Sequence, residues 1–323
     1  MQKILLSIDE NKKRLDAVRP LSPILKKQMD DFFTLEVAYQ SAALDGNTLT
    51  RIESLLAIEQ GITSKGKTIS EHLEVINLAL AFDIIRKSAS LGQNTPFLSV
   101  MMQVFDRVID KLHEDQKGRY RTGPARLKGL TYVAPESAAV SGLLEQFTQK
   151  LAQLSDAKAP FLAAFVHGEI VKIAPFGVGN ARVARMMAQY VLLEKGYSPM
   201  LIAPNQRQDY LEALDAYVRF GKADQYTRFM VRACERGAEA ALSLVEESGT
   251  SMRVPKLLKI GDLAAASKES IVTIRHWAKE GILTVSEHTP GGYMLFSDTM
   301  IERVREVRRL QKKGMSLSEI KTQ

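Results

Sequence analysis

The sequence predicts a mainly α-helical protein: a large helical body that carries one small β-hairpin, followed by a compact helix-turn-helix module. Three observations predict it. Apolar residues recur at helical spacing through most of the first 245 residues, as in Ile69–Ser88, where Leu73, Ile76, Leu80, Ile84 and Ile85 share one face. One stretch, GRYRTGPARLKGLTYVAP at 118–135, is instead rich in glycine and β-formers, with Arg126-Leu127 and Tyr132-Val133 flanking a Lys-Gly turn. Beyond a polar break at 246–255 (EESGTSMRVP), two short helical patterns are separated by the turn Ala-Ser-Lys-Glu.

The elements follow in order. Residues 1–35 read as one or two amphipathic helices interrupted by Pro20 and Pro23. Asp30 to Ala43 reads as a helix that stops at Gly46, and Leu49 to Gly61, Ile69 to Ser88 and Thr95 to Leu112 as three more. His72 and His113 fall on polar faces and are expected to be solvated. Pro160 to Lys172 and Val183 to Glu194 are two apolar helices, the second buried on most sides. Helices near 206–220 and 222–245 complete the body. His167 lies seven residues before Ala174, about 10 Å along a helix, and reads as a hydrogen-bonded core residue.

Composition bounds the class. The 323 residues are 45% hydrophobic and 25% charged, ordinary for a soluble globular protein. One cysteine, Cys234, excludes an internal disulfide framework, fits a reducing compartment, and reads as a buried structural thiol. Neither a leader pattern nor a bilayer-length apolar stretch is present, so a cytoplasmic protein with no membrane partner is expected. The net charge of +7 is uneven: residues 251–323 hold 13 Lys/Arg and 8 Asp/Glu, which points that part toward nucleic acid. No Cys/His cluster has metal-ligand spacing, and no phosphate-loop motif occurs.

The chemistry concentrates at Ile173–Arg185, IAPFGVGNARVAR. A Gly/Asn loop opening a helix leaves backbone N–H groups free at its positive end, which suits an anion. Arg182 and Arg185, three apart, reach the same side. This stretch resembles the Fic family signature, H-P-F-x-[D/E]-G-N-G-R-x-x-R. Pro175, Phe176, Gly179, Asn180, Arg182 and Arg185 match. Ala174 replaces the histidine, Val178 the acid and Ala181 the second glycine. The resemblance implies a fold made for transferring AMP from ATP to protein hydroxyls, with the general base and the Mg²⁺-holding acid both lost. No catalytic residue remains under that reading, and no cofactor is required. Gly179, Asn180, Arg182 and Arg185 are left as a nucleotide or anion site, with ATP or another nucleotide as the ligand.

Two further features extend the resemblance. Ser41–Gly46, SAALDG, is similar to the family's inhibitory motif, implying that Asp45, with Ser41 and Gly46, pairs with Arg185 and blocks the γ-phosphate position. The 118–135 hairpin resembles the family's flap, which docks a target protein's backbone as an added strand. Tyr210 and Tyr217 fall where the family has its adenine-side segment.

From Lys259 to Ile320 the chain resembles the winged helix-turn-helix of the MerR family. In the residues themselves, Ile260–Ala265 is a first helix and Ser270–Glu280 a second, with Ile271, Ile274, Trp277 and Ala278 turned inward and Gly281 as its stop. The resemblance puts Ser270, Thr273, Arg275 and His276 on or near the recognition helix, with Gly292, Tyr293 and Phe296 in the wing. Arg275 is the candidate for phosphate or guanine contact. Members of that family continue into a long dimerising helix that is not seen before Gln323.

The expected organisation is therefore a helical part at 1–110 (inhibitory-type helix near 30–46), a Fic core at 111–245, a linker at 246–258 and a DNA-binding domain at 259–323. The function it implies is a regulator of transcription that binds double-stranded DNA. Its Fic part is degenerate and senses a nucleotide effector, binds a protein at the flap, or makes a homodimer. A divergent adenylyltransferase is the alternative.

Overall fold

The computed structural model describes all residues except 93–95, 126, 249–256, 289–292, 313–314, 316, 318–319 and 321–323. The chain divides into two compact units, the larger made of Met1–Thr63 and Lys67–Ser251, the smaller holding Met252–Gln323.

Ten α-helices build the larger unit among the described residues: α1 (Gln2–Ala17), α2 (Pro23–Leu44), α3 (Arg51–Gln60), α4 (Ile69–Ser90), α5 (Phe97–Val108), α6 (Val140–Gln153), α7 (Ala159–Ile173), α8 (Asn180–Glu194), α9 (Arg207–Phe220) and α10 (Ala223–Ser248). Proline sets the first boundary as expected. Pro23 enters α2 at its first turn behind the Ser22 cap, so the pattern predicted to start at Asp30 belongs to one continuous helix. Reciprocal capping boxes, Thr50 with Glu53 and Thr68 with Glu71, start α3 and α4. Helix α6 has no counterpart among the predicted elements; it buries Val140, Leu144 and Phe147. Helices α7 and α8 pack on each other, and α4 packs across α8, α2 and α5.

The chain turns within 118–135 where the hairpin is expected. Leu130 N–H closes a turn on Leu127 O at the Lys-Gly position, and Val133 alone holds a β-bridge among the described residues. Its arms are also tied to the body. Thr131 bonds Asp215, Tyr132 Oη donates to Lys172 O at 2.9 Å, and Arg121 bonds Ala174 O. His72 departs from expectation: it is 3% exposed, with Nδ1 2.7 Å from Thr68 O, on a helix that also packs against α3.

In the smaller unit, β1 (Leu257–Lys259) leads into α11 (Ile260–Ser267), α12 (Ile271–Lys279), β2 (Glu287–His288), β3 (Met294–Ser297) and α13 (Met300–Lys312). The sheet is antiparallel in the order β1-β3-β2, with Leu258 opposite Phe296. Its core holds Leu263, Ile274, Trp277, Phe296 and Val304. Among the described residues, no helix is long and apolar enough to cross a membrane.

Candidate functional site

The loop between α7 and α8 is fixed from both sides. Asn180 folds back on it: its Oδ1 accepts from Phe176 N–H at 2.9 Å and its Nδ2 donates to Phe176 O at 2.7 Å. The Phe176 ring is buried and stacks on Phe105 of α5 with centroids 3.7 Å apart. Gly179 starts α8 at φ +76°, a conformation that costs a residue with a Cβ about 1–2 kcal/mol. The first turn of α8 has neither a side-chain cap nor an acidic residue, so its N–H groups and dipole face the loop unneutralised.

Ala174 ends α7 in the left-handed region, φ +46° and ψ 64°, unusual for a residue other than glycine. Neighbours hold it there. Its N–H bonds Ile170 O at 2.8 Å, and its carbonyl accepts from Arg121 Nε at 2.6 Å. Arg121 also donates to Gly123 O and Pro135 O, so one buried guanidinium pins both ends of the 118–135 segment to this corner. At position 174 the chain thus presents a buried methyl, with no atom able to take a proton. Val178 is half-buried and packs against the core.

On α8, Arg185 is 3% exposed and every face of its guanidinium is engaged. Nε donates to Ser41 Oγ at 2.9 Å. Nη2 reaches Ser41 O and Asp45 Oδ1, both at 2.8 Å, and Nη1 donates to Tyr210 Oη at 3.3 Å. Burial is the largest single influence and opposes this charge, but Asp45 and Tyr210 together outweigh it, and the Arg185 pKa is raised. Asp45 also lies 3.3 Å from Arg182 Nε, while Arg182 Nη1 lies 3.3 Å from Glu74 of α4. Neither Arg182 contact is a hydrogen bond, and both nitrogens are shielded from solvent. Gly46, at φ +91°, ends the helix whose last turn supplies Ser41 and Asp45.

Behind Arg185 runs a buried polar chain. Tyr226 Oη donates to Ala164 O at 2.9 Å, so it accepts from His167 Nδ1 at 2.7 Å. That leaves His167 Nε2 to accept from Tyr210 Oη at 3.0 Å, and Tyr210 in turn accepts from Arg185. His167 is fully buried, and burial, with Arg185 nearby, lowers its pKa to about 3, so the ring is neutral. Burial also pushes the Tyr210 phenol up, and holds the Cys234 thiol near about 12, unreactive. Tyr217 sits elsewhere. It donates to Glu169 and stacks on Tyr226, and a Cβ at Gly168 would lie 2.4 Å from its ring.

Among the described residues no group of three or more His, Cys, Asp or Glu side chains would hold a metal ion. The nearest acids, Asp45 and Glu74, are turned to Arg182 and Arg185. These residues do not fit a divalent cation beside the loop.

In the smaller unit, Ser270 caps α12, its Oγ accepting from Thr273 N–H at 3.0 Å. Arg275 and His276 are exposed, while Ile274 and Trp277 on the opposite face are buried. Arg308 covers the Trp277 ring with its guanidinium carbon 5.1 Å from the centroid, and pairs with Glu269. One expectation is corrected: Ile271 is 44% exposed, since the first residue of α12 overhangs the core. Phe296 lies in β3, the strand paired with β2, and its ring is buried in the module's core. Tyr293 is 71% exposed; Gly292 lies outside the described residues.

Residues 98–192 match the Fic/DOC family, and residues 258–322 match the MerR HTH family of regulatory proteins. The chain carries a Fic domain and a MerR-type helix-turn-helix. Over 248 residues it is 27% identical to a protein named protein adenylyltransferase Fic from Nematostella vectensis, covering 75% of this chain and 56% of the relative. The like-named protein of Drosophila virilis is 27% identical over 79% of this chain and 52% of its own length. The chain thus spans about half the length of these curated relatives. Its fold is similar to a Fic-domain signaling protein of Bacteroides thetaiotaomicron, with a TM-score of 0.67 at 21% identity, covering 76% of this chain and all of that one. It is also similar to a Fic family protein of Desulfovibrio desulfuricans, with a TM-score of 0.62 at 19% identity, covering 91% and 94% of the two chains.

The structure brings Ser41 and Asp45 at the end of α2 into one cluster with Arg182 and Arg185 of α8, the helix that Gly179 and Asn180 open. Two participants escaped sequence reasoning: Glu74 and Arg121 come from separate elements and carry no local motif, an arginine in a glycine-rich loop being the one signal. Tyr210, singled out by resemblance, reaches the cluster through its hydroxyl.

Proposed function

We propose that this chain is a DNA-binding regulator of transcription whose Fic domain is catalytically silent and works as a nucleotide-sensing module. The observation that carries the silence is Ala174. A transferase of this kind must take the proton from an attacking hydroxyl, and a buried methyl cannot; loss of a general base alone costs about 10²–10⁴ in rate. What supports retained binding is the uncapped N-terminus of α8 with two arginines over it. Asp45 then acts as a resident anion, which an incoming phosphate has to displace from Arg182 and Arg185. The exposed face of α12, with Arg275 and His276 opposite a buried Trp277, supports major-groove contact with double-stranded DNA. Modules of this size read paired half-sites as dimers, and the Fic domain is the part large enough to supply a two-fold element.

Incubation of the full chain with labelled ATP, Mg²⁺ and a cell lysate tests the silence. No label should pass to any protein, the chain itself included. Transfer that Arg185→Ala abolishes overturns it. A divergent adenylyltransferase is the second reading, favoured by the names of the curated relatives, and the same assay decides between the two.

A further inference from the structure

The larger unit has a second concavity, about 700 Å³ in volume, away from the α7–α8 loop. That size is in the range of sites for small organic ligands. Its floor is apolar, made by Met29 and Phe33 of α2, Phe82 of α4 and Leu193 of α8. Phe82 is fully buried and Phe33 3% exposed, so the floor is fixed by the core. Its rim carries Arg19, Lys26, Arg86 and Asp30; Arg19 pairs with Asp16 and Arg86 Nη2 with Asp83, which leaves Lys26 as the rim's unpaired charge among the described residues. Lys26 is exposed and has no acidic partner among the described residues. Arg86 Nη1 lies 3.1 Å from Asp30 Oδ1 but makes no hydrogen bond and is shielded from solvent, a buried donor left unsatisfied.

We propose that this pocket binds a small amphipathic organic anion. Its apolar body lies on Phe33, Phe82 and Leu193, and its carboxylate or sulfonate head is met by Lys26 and Arg86. The pocket also has a route to the arginine cluster. The three helices that line it, α2, α4 and α8, carry Asp45, Glu74 and the pair Arg182/Arg185 toward their other ends. Asp30 and Asp45 are fifteen residues apart on and just after α2, about 22 Å along its axis. A ligand that favours one setting of α2 therefore changes how firmly Asp45 holds the arginines, and with that the affinity for nucleotide. This coupling rests on the nucleotide-sensing reading; the pocket does not.

Calorimetry of the full chain with decanoate tests both parts. One saturable site is expected, at least tenfold weaker for decanol, and weakened at least tenfold by Lys26→Glu, which changes an exposed side chain. Met29→Trp, which fills the cavity, should abolish binding while the thermal transition stays in place. Absence of decanoate binding, or equal binding by both variants and the natural chain, overturns the pocket. Titration of ATP into the decanoate-saturated chain should shift the ATP Kd more than twofold, and not in Met29→Trp. An unchanged ATP Kd overturns the coupling. A chain that binds decanoate but no ATP overturns the nucleotide reading and leaves the pocket standing.

Discussion

Helices α8 and α12 both carry arginines that the sequence marks for anion contact, and the fold treats them in opposite ways. Arg185 of α8 is buried, with Ser41, Asp45 and Tyr210 around it. Arg275 of α12 is exposed, on a helix whose other face is sunk into the module's core. A charge satisfied from within acts as a lock, and its ligand must compete with an internal carboxylate. A charge left to water costs nothing to redirect toward a phosphate or a guanine. The difference teaches that a motif gives the kind of chemistry while burial gives its state.

The sharpest way to break this contrast is to remove each arginine and compare stabilities. Arg185→Ala leaves Asp45, Ser41 and Tyr210 short of a partner and should cost about 3 kcal/mol in urea unfolding. Arg275→Ala should change stability by no more than about 0.5 kcal/mol. Equal costs would show that Arg185 is not locked.

Acid should expose the same lock from behind. His167 has its pKa lowered to about 3 in the folded chain, while the unfolded chain binds the proton near the ordinary 6.5. Its contribution is therefore complete above about pH 6.5 and is lost as the pH falls toward the folded value, at about 1.4 kcal/mol per pH unit. In His167→Gln that part of the slope between pH 6 and 4 should vanish; an unchanged slope would assign acid loss to other groups.

On the exposed side, Arg275→Ala should weaken binding to a specific operator by about 1–3 kcal/mol in band-shift titrations. The smallest effect is expected at the clamp itself. Asp45→Gly should tighten ATP by about 1 kcal/mol and AMP by less, because the aspartate competes with the outermost phosphate. Equal changes for ATP and AMP, read by calorimetry, would reduce Asp45 to a helix end.

Much of this was legible because it is local. The Gly/Asn loop, the paired arginines and the helix-turn-helix are set by spacings of a few residues, and those survive in the one-dimensional pattern. The closure of Asp45 on Arg185 was legible only through resemblance, since 140 residues separate them. Glu74 beside Arg182, and Arg121 beneath Ala174, depend on how α4 and the 118–135 loop pack on the α7–α8 corner, and no spacing encodes that. The ties of the 118–135 segment to Asp215, Lys172 and Ala174 are equally long-range and carry no local motif. His72 and Ile271 went wrong at the first turns of their helices, where a neighbouring element, or its lack, overrides the periodic face.

The central claim, a DNA-binding regulator built on a silent Fic domain, is tested most directly by mapping the DNA bound in cells by the full chain and by Arg275→Ala. Discrete sites sharing a two-fold-related sequence are expected for the natural chain, with their occupancy lost in the variant. Absence of discrete sites, or the same sites held equally by Arg275→Ala, would contradict it.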